Sequence, residues 1–232
     1  MPDTDFEQMY QGESPLGDRV PWDIDGPQPA LVALEATGAF RGEVLDIGCG
    51  LGENALFLAS RGHRVTGLDG APTALARARE KAASRDLAVT FAQADATRLD
   101  GYEGSFDSVL DSALYHCLDE EDRHTYLAAL TRATRPGARL NLFCFSDAVP
   151  ENFPGPARIT EQNLRETVGR NWTITTIEPA AYVTAMTRET LQRAMSAFSP
   201  DQRADPAALA ALETDEQGRV QVPVWRLAAE RA

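Results

Sequence analysis

Three aspartates close three short apolar runs: Asp46 in "VLDIGCGLG", Asp69 in "VTGLDGAP" and Asp95 in "FAQADAT". After the first lie Gly48, Gly50 and Gly52, a G-x-G-x-G pattern that permits a tight turn and a close approach of backbone to ligand. A dinucleotide turn reads G-x-G-x-x-G, and counted from Gly48 its third glycine position is held by Glu53. The Gly-Lys-Ser/Thr ending of a phosphate-cradling loop is absent from the turn. Asp46, two residues ahead of Gly48, suits a ligand with positive charge and suits a pyrophosphate poorly. Asp69 stands about twenty residues on, where an acid holds both hydroxyls of a ribose. Asp95 offers an acceptor for an exocyclic adenine amine. Each also has a structural use: Asp46 can bond turn amides, and the other two can be solvated carboxylates at strand ends.

Other residues could do chemistry nearby. His116 in "SALYHCLD" is a candidate general base near neutral pH, or a histidine that caps the following helix. Tyr115 beside it shapes a substrate pocket or fills core. His63 is expected at the far end of the sheet, and His124 exposed on a polar helix. Trp22, among the prolines of "RVPWDIDGPQP", reads as a lid over a ligand that moves with the first twenty residues, or as a staple for that arm. Tyr10 and Phe6 on the arm, and Tyr182, Met186 and Phe198 further on, are pocket candidates. The spacing of Leu191, Met195 and Phe198 equally fits core packing. Cys49, Cys117 and Cys144 are odd in number and widely spaced, so free thiols and no metal centre are expected.

Alternating patterns must position these residues. Helical stretches are "QPALVALEATGAF", "ENALFLASRGH" closed by Gly62, "APTALARAREKAASRD" and "DEEDRHTYLAALTRAT", the last stopping at "RPGAR". Between and after them run the strand patterns "EVLDIGC", "RVTGLD", "AVTFAQAD", "FDSVLDSAL" and "RLNLFCF". This alternation predicts an α/β, Rossmann-like doubly wound sheet with helices on both faces, binding its ligand at the carboxyl ends of the strands. Further on, "ITEQNLRETVG" reads as helix, "WTITTIEPAAYV" as strand, "TRETLQRAMSAF" and "DPAALAALE" as helices around the loop "SPDQRADP", and "RVQVPVWRLAAER" as a final strand. Pro223 in that strand is expected at a sheet edge or bulge. One domain is expected: a lid arm over 1–27, a core over 28–184, a helical insertion over 185–217 and the final strand over 218–232.

The 232 residues can bury a sizeable core. With a net charge of −13 and no dense basic run, neither nucleic acid nor an anionic membrane is expected as a partner. The acidic, polar N-terminus lacks the basic and apolar parts of a secretory signal, so a cytoplasmic protein is expected, as monomer or homodimer.

The stretch from "VLDIGCGLGENALFLASRGHRVTGLDGAPTALARAR" through "FAQADAT", "FDSVLDSALYH" and "RPGARLNLFCFSD" resembles the class I S-adenosylmethionine-dependent methyltransferases over about residues 28–148. The resemblance implies a seven-stranded sheet, mostly parallel with its last strand antiparallel, and S-adenosylmethionine as cofactor. It implies Asp46, Gly48 and Gly50 around the cofactor's methionine end, with Ser112 contacting that moiety. Asp69 would lie at the ribose, Asp95 and Ala96 at the adenine, and Trp22, Cys49, Asn54 and Gly70 would be further cofactor contacts. Tyr10, Tyr115, His116 and Tyr182 would face the substrate, with His116 as catalytic base. Upstream, "VPWDIDGPQPALVALEATGAF" is similar to small-molecule enzymes of the thiopurine and tellurite-resistance type. P-W-x-I-x-x-P-Q-P and DS-x-L-[FY]-H are shared with heterocyclic-toxin methyltransferases. The chain departs from that subgroup between Thr184 and Arg219, which is longer and more polar. The implied activity is methyl transfer to an O, N or S atom of a small aromatic or heteroaromatic molecule. A non-methylating protein of the same fold, a cyclase or sensor, and a nicotinamide-dependent oxidoreductase are the rival readings.

Overall fold

The computed structural model describes residues 6–13, 20–150, 153, 155–198 and 206–232, with side chains of 194–198 and 206–208 outside the description. The strand patterns form one sheet: β1 Glu43–Ile47, β2 Arg64–Asp69, β3 Val89–Gln93, β4 Phe106–Ser112, β5 Thr134–Phe145, β6 Trp172–Thr187 and β7 Arg219–Arg231. Its order is β3-β2-β1-β4-β5-β7-β6. The pairs among β1 to β5 are parallel, and β7 runs antiparallel to both β5 and β6. The expected sheet, with its antiparallel last strand, is the observed one.

The helices are α1 Phe6–Tyr10, α2 Pro29–Glu35, α3 Glu53–Ser60, α4 Pro72–Ser84, α5 Glu120–Ala133, α6 Glu161–Thr167, α7 Arg188–Phe198 and α8 Pro206–Ala211. Side-chain alternation in β1 divides the core. Leu45 and Ile47 pack with Tyr126, Leu127 and Leu130 of α5, whereas Val44 joins Leu31, Leu56 and Leu75 of α2, α3 and α4. Each such fully buried aliphatic side chain contributes roughly 1.5–3 kcal/mol. Asp46 lies on Val44's face by the same alternation, one residue from the end of β1.

Local chemistry sets the helix ends. Asp119 caps α5 by accepting from Asp122 N at 2.8 Å, and Thr160 caps α6 by accepting from Asn163 N at 3.0 Å. α3 starts at Gly52, whose φ is +79°, and a Cβ there would lie 2.8 Å from the Phe91 ring and 2.9 Å from Ala78 Cβ. Gly52 therefore does the close packing that the third fingerprint glycine does elsewhere. Glu53, in the fingerprint position, instead bonds Arg85 at 2.7 and 2.9 Å and pairs with Lys81 at 2.8 Å, fastening α3 to α4.

Three expectations shift. α2 ends at Glu35, ahead of Gly38 at φ +75°, and is shorter than its apolar pattern. β5 begins at Thr134, so "RPG" lies inside the strand. Its register jumps from Phe106↔Thr134 to Ser108↔Arg139, with Gly137 at φ +75° in the bulge. Pro223 sits in an interior strand, neither at an edge strand nor at a bulge. Its carbonyl accepts from Ser146 N at 3.2 Å, just past the last β5–β7 pair, Phe145↔Val224. In an antiparallel strand N–H and C=O of one residue point the same way, so the missing donor faces the end of β5.

α7 and α8 lie between β6 and β7 in the chain. Leu191, Leu209 and Leu212 pack there on Val149, Phe153, Val220 and Val222. Met195 and Phe198 have side chains outside the described residues, as does the loop "SPDQRADP" in its greater part. Among the described residues no helix is long and apolar enough to cross a membrane.

Candidate cofactor and acceptor site

The turn after β1 is built from backbone. Gly48 N and Cys49 N both donate to Leu68 O, at 2.8 and 3.1 Å, tying the turn to β2. Gly48 and Gly50 have φ of +69° and +51°. Asp69 is braced beneath: its Oδ2 accepts from Gly50 N at 2.7 Å and its Oδ1 from Ala71 N at 2.8 Å. Burial still raises its pKa, against the pull of those amides.

Asp46 is 1% exposed, and its Oδ2 has no hydrogen-bond partner among the described residues. Burial, then the charges of Asp69 and Asp111, push its pKa up to about 8, opposed by the Ala55 N–H at the start of α3. An unbonded buried carboxylate is costly. A primary ammonium would satisfy the orphaned oxygen and restore the charge balance, so this end of the site fits the aminoacyl part of a sulfonium cofactor. Asp95 is exposed two residues past β3, where its Oδ1 accepts from Thr97 N at 2.9 Å and Thr97 Oγ1 at 2.6 Å. Ala96 is half-buried beside it, and Gly70 has open space where a Cβ would stand.

A cleft runs from the turn, including Cys49 and Asn54, past Trp22 to Ser112 and Tyr182. Tyr182 starts on edge strand β6 and reaches over β7 and β5 to set its hydroxyl 3.2 Å from Ser112 Oγ at the end of β4. Tyr10 belongs to the other end, a correction to its expected place at the substrate. Its hydroxyl accepts from Trp22 Nε1 at 3.0 Å and would lie 2.6 Å from a Cβ on Gly50. Phe6 meets Trp22 edge-on at 5.8 Å. Glu7 fastens this arm by accepting from Thr73 N, at 3.1 Å, in the first turn of α4.

His116 and Tyr115 are corrected too. The single 3-10 turn Tyr115–Cys117 after β4 rotates both away from the cleft. Tyr115 is fully buried, donating to Asn163 Oδ1 at 3.0 Å, with Arg123 stacked 5.3 Å over its ring. His116 is 4% exposed and stacks on Phe145 at 4.3 Å. Its Nδ1 accepts from Phe145 N at 2.9 Å, so in the neutral ring Nε2 carries the hydrogen and neither nitrogen has a free lone pair. Burial, helped by Arg123, lowers its pKa to about 3. His116 thus holds the backbone of Phe145 and is not among the residues that line the cleft. His63 pairs with Glu35 at 3.4 Å ahead of β2, and His124 is half-buried rather than exposed.

Six residues that line the cleft were not among the predicted site residues: Asp23, Gly26, Gln28, Leu51, Gly52 and Glu53. Gln28 donates to Val183 O at 2.9 Å and accepts from Val183 N at 3.0 Å, acting as one more pairing residue on the edge of β6. Its own N donates to Asn54 Oδ1 at 3.1 Å. The polar residue between two prolines in "PQP" was the available signal. Among the described residues no cluster of His, Cys, Asp or Glu could hold a metal ion, and the cysteines are free.

Residues 44–137 match a methyltransferase domain family. The chain is 44% identical over 179 residues to the 2-heptyl-1-hydroxyquinolin-4(1H)-one methyltransferase of Mycobacteroides abscessus, spanning 75% of this chain and 79% of that one. It is 35% identical, with a TM-score of 0.79, to a protein whose structure was solved for the conversion of a disulfide bond into a thioacetal group during echinomycin biosynthesis; 97% of this chain and 91% of that one are covered. The fold is shared with the 1,6-didemethyltoxoflavin-N1-methyltransferase of Burkholderia thailandensis, at 22% identity, a TM-score of 0.58, and 88% and 77% coverage. With a glycine turn tied to a braced acid at the end of β2 and an unsatisfied buried carboxylate ahead of it, the chain belongs to the class I S-adenosylmethionine-dependent methyltransferases.

Proposed function

We propose that this enzyme methylates an O, N or S atom of a small heteroaromatic molecule. Asp46, Gly48, Cys49, Gly50, Asn54 and Trp22 would surround the methionine end of the cofactor, Asp69 and Gly70 the ribose, and Asp95 and Ala96 the adenine. Ser112 and Tyr182 would stand at the transfer end. When bound, S-adenosylmethionine supplies a methyl group on a positively charged sulfur, which departs as a neutral thioether. The protein's task is alignment and exclusion of water.

The observation that carries the reading is the unpartnered Oδ2 of Asp46, two residues ahead of the Gly48–Gly50 turn that lines the cleft, an oxygen suited to accept from an ammonium. The relative's name, a hydroxyquinolone methyltransferase, supports a flat heteroaromatic acceptor. We read the protein as cytoplasmic, a monomer or homodimer acting on a free small molecule, with residues 1–27 as its lid arm and 185–217 as an insertion near the acceptor. A methyl-release screen over phenols, thiols and nitrogen heterocycles, paired with calorimetric titration of S-adenosylhomocysteine and NAD, tests this. Product release with a heteroaromatic acceptor is expected. Binding of NAD without binding of S-adenosylhomocysteine sinks it.

A further inference from the structure

Of the carboxylates that line the cleft, Glu53 is held by Arg85 and Lys81 and Asp23 Oδ1 accepts from Asp25 N at 3.1 Å; the acceptor end presents the hydroxyls of Ser112 and Tyr182. His116 lies outside that lining, with its Nδ1 accepting from Phe145 N. Asp111 accepts from Leu114 N at 2.9 Å, Tyr115 N at 3.2 Å and Tyr126 Oη at 2.8 Å. Asp46 sits at the turn, on the cofactor's amino side. The Ser112–Tyr182 pair has two hydroxyl protons and uses one between its members, which leaves one to donate.

We infer that the acceptor arrives with its nucleophilic oxygen already ionised, as an acidic hydroxyl on a heteroaromatic ring, and that the Tyr182 hydroxyl donates to that oxyanion. The inference rests on the proposed function and narrows its substrate class. The oxyanion's lone pair forms the new bond to the methyl carbon, the carbon–sulfur pair stays on sulfur, and no proton leaves during the step. Tyr182 keeps its own proton: burial pushes its pKa up to about 12, opposed by the Ser112 bond and helped by Asp46, Asp111 and Cys117. A hydrogen bond to an ionised acceptor is roughly twice as strong as one between neutral groups.

The test uses the full chain and three hydroxylated nitrogen heterocycles of graded acidity. The pH midpoint of kcat/KM is expected to move with each acceptor's own ionisation and to be unchanged in His116→Asn, whose amide oxygen can accept from Phe145 N. One midpoint common to all three acceptors, lost in His116→Asn or Asp23→Asn, overturns the inference. The second readout is absorbance. With S-adenosylhomocysteine present, bound acceptor is expected to show its anion's spectrum about one pH unit below its solution pKa. Tyr182→Phe should remove that shift; a bound acceptor that stays neutral overturns the inference. Failure of every acceptor to turn over would sink the proposed function alone, and the absorbance would still decide how the acceptor is held.

Discussion

At Asp46 a carboxylate is kept out of water with one oxygen unbonded. The cost depends on pH. Its folded pKa of about 8 lies above the ordinary 3.8, so the folded state holds the extra proton and stability falls as pH rises through that window. Asp111, raised to about 6 by burial, acts in the same direction and finishes earlier. His116, lowered from 6.5 to about 3, has the opposite sign: stability rises with pH until 6.5 and is then constant. Of the three, only Asp46 titrates between 6.5 and about 8. Thermal melts of the cofactor-free protein should therefore decline over that interval, and Asp46→Asn should flatten the decline while weakening S-adenosylhomocysteine binding about 10- to 100-fold, or about 1.4–2.8 kcal/mol. Unchanged affinity in a calorimeter would remove Asp46 from the site. The acids were legible because each closes an apolar run, and strand ends are where such sheets bind ligands. Tyr115 and His116 were left between a site role and a structural one because apolar pattern does not reveal which way one 3-10 turn rotates. Asp111, the acid in "DSALYH", drew no notice, since its partners come from a loop and from Tyr126 on α5.

Among the elements, α2 and β6 are joined by one side chain. Gln28, ahead of α2, satisfies both backbone groups of Val183, and its backbone reaches α3 through Asn54. Gln28→Ala leaves a buried N–H and C=O unpaired and should cost about 1–3 kcal/mol in urea unfolding. Turnover should drop as well, because Tyr182 is the residue preceding Val183. A variant that loses stability with unchanged KM for the acceptor would show that the two effects are separable and that the link does not steer Tyr182. Helix and strand identities were readable from period and punctuation. The bulge in β5 was not: Pro136 and Gly137 look like a helix stop, and they are one, but α5 passes directly into strand. Gln28 stayed hidden because its partner is 155 positions away.

Over the whole molecule, charge and topology divide the labour. The net charge of −13 accompanies a ligand end rich in acids, while the buried Arg123 stacks over Tyr115, outside the cleft lining. β6 reaches the rest of the sheet only through β7, its sole neighbour in the strand order. Hydrogen exchange should show residues 172–187 and 219–231 opening together, in one step distinct from β1 and β2; separate opening would contradict that dependence. The slot filled by β7 also sets a timetable during synthesis. β1 to β5 can pair as they emerge, and the glycine turn can form with them. Tyr182 has left the ribosome well before β7, but it has nothing to lean on until that strand is inserted, so a nascent chain acquires its cofactor end before it acquires any grip on an acceptor.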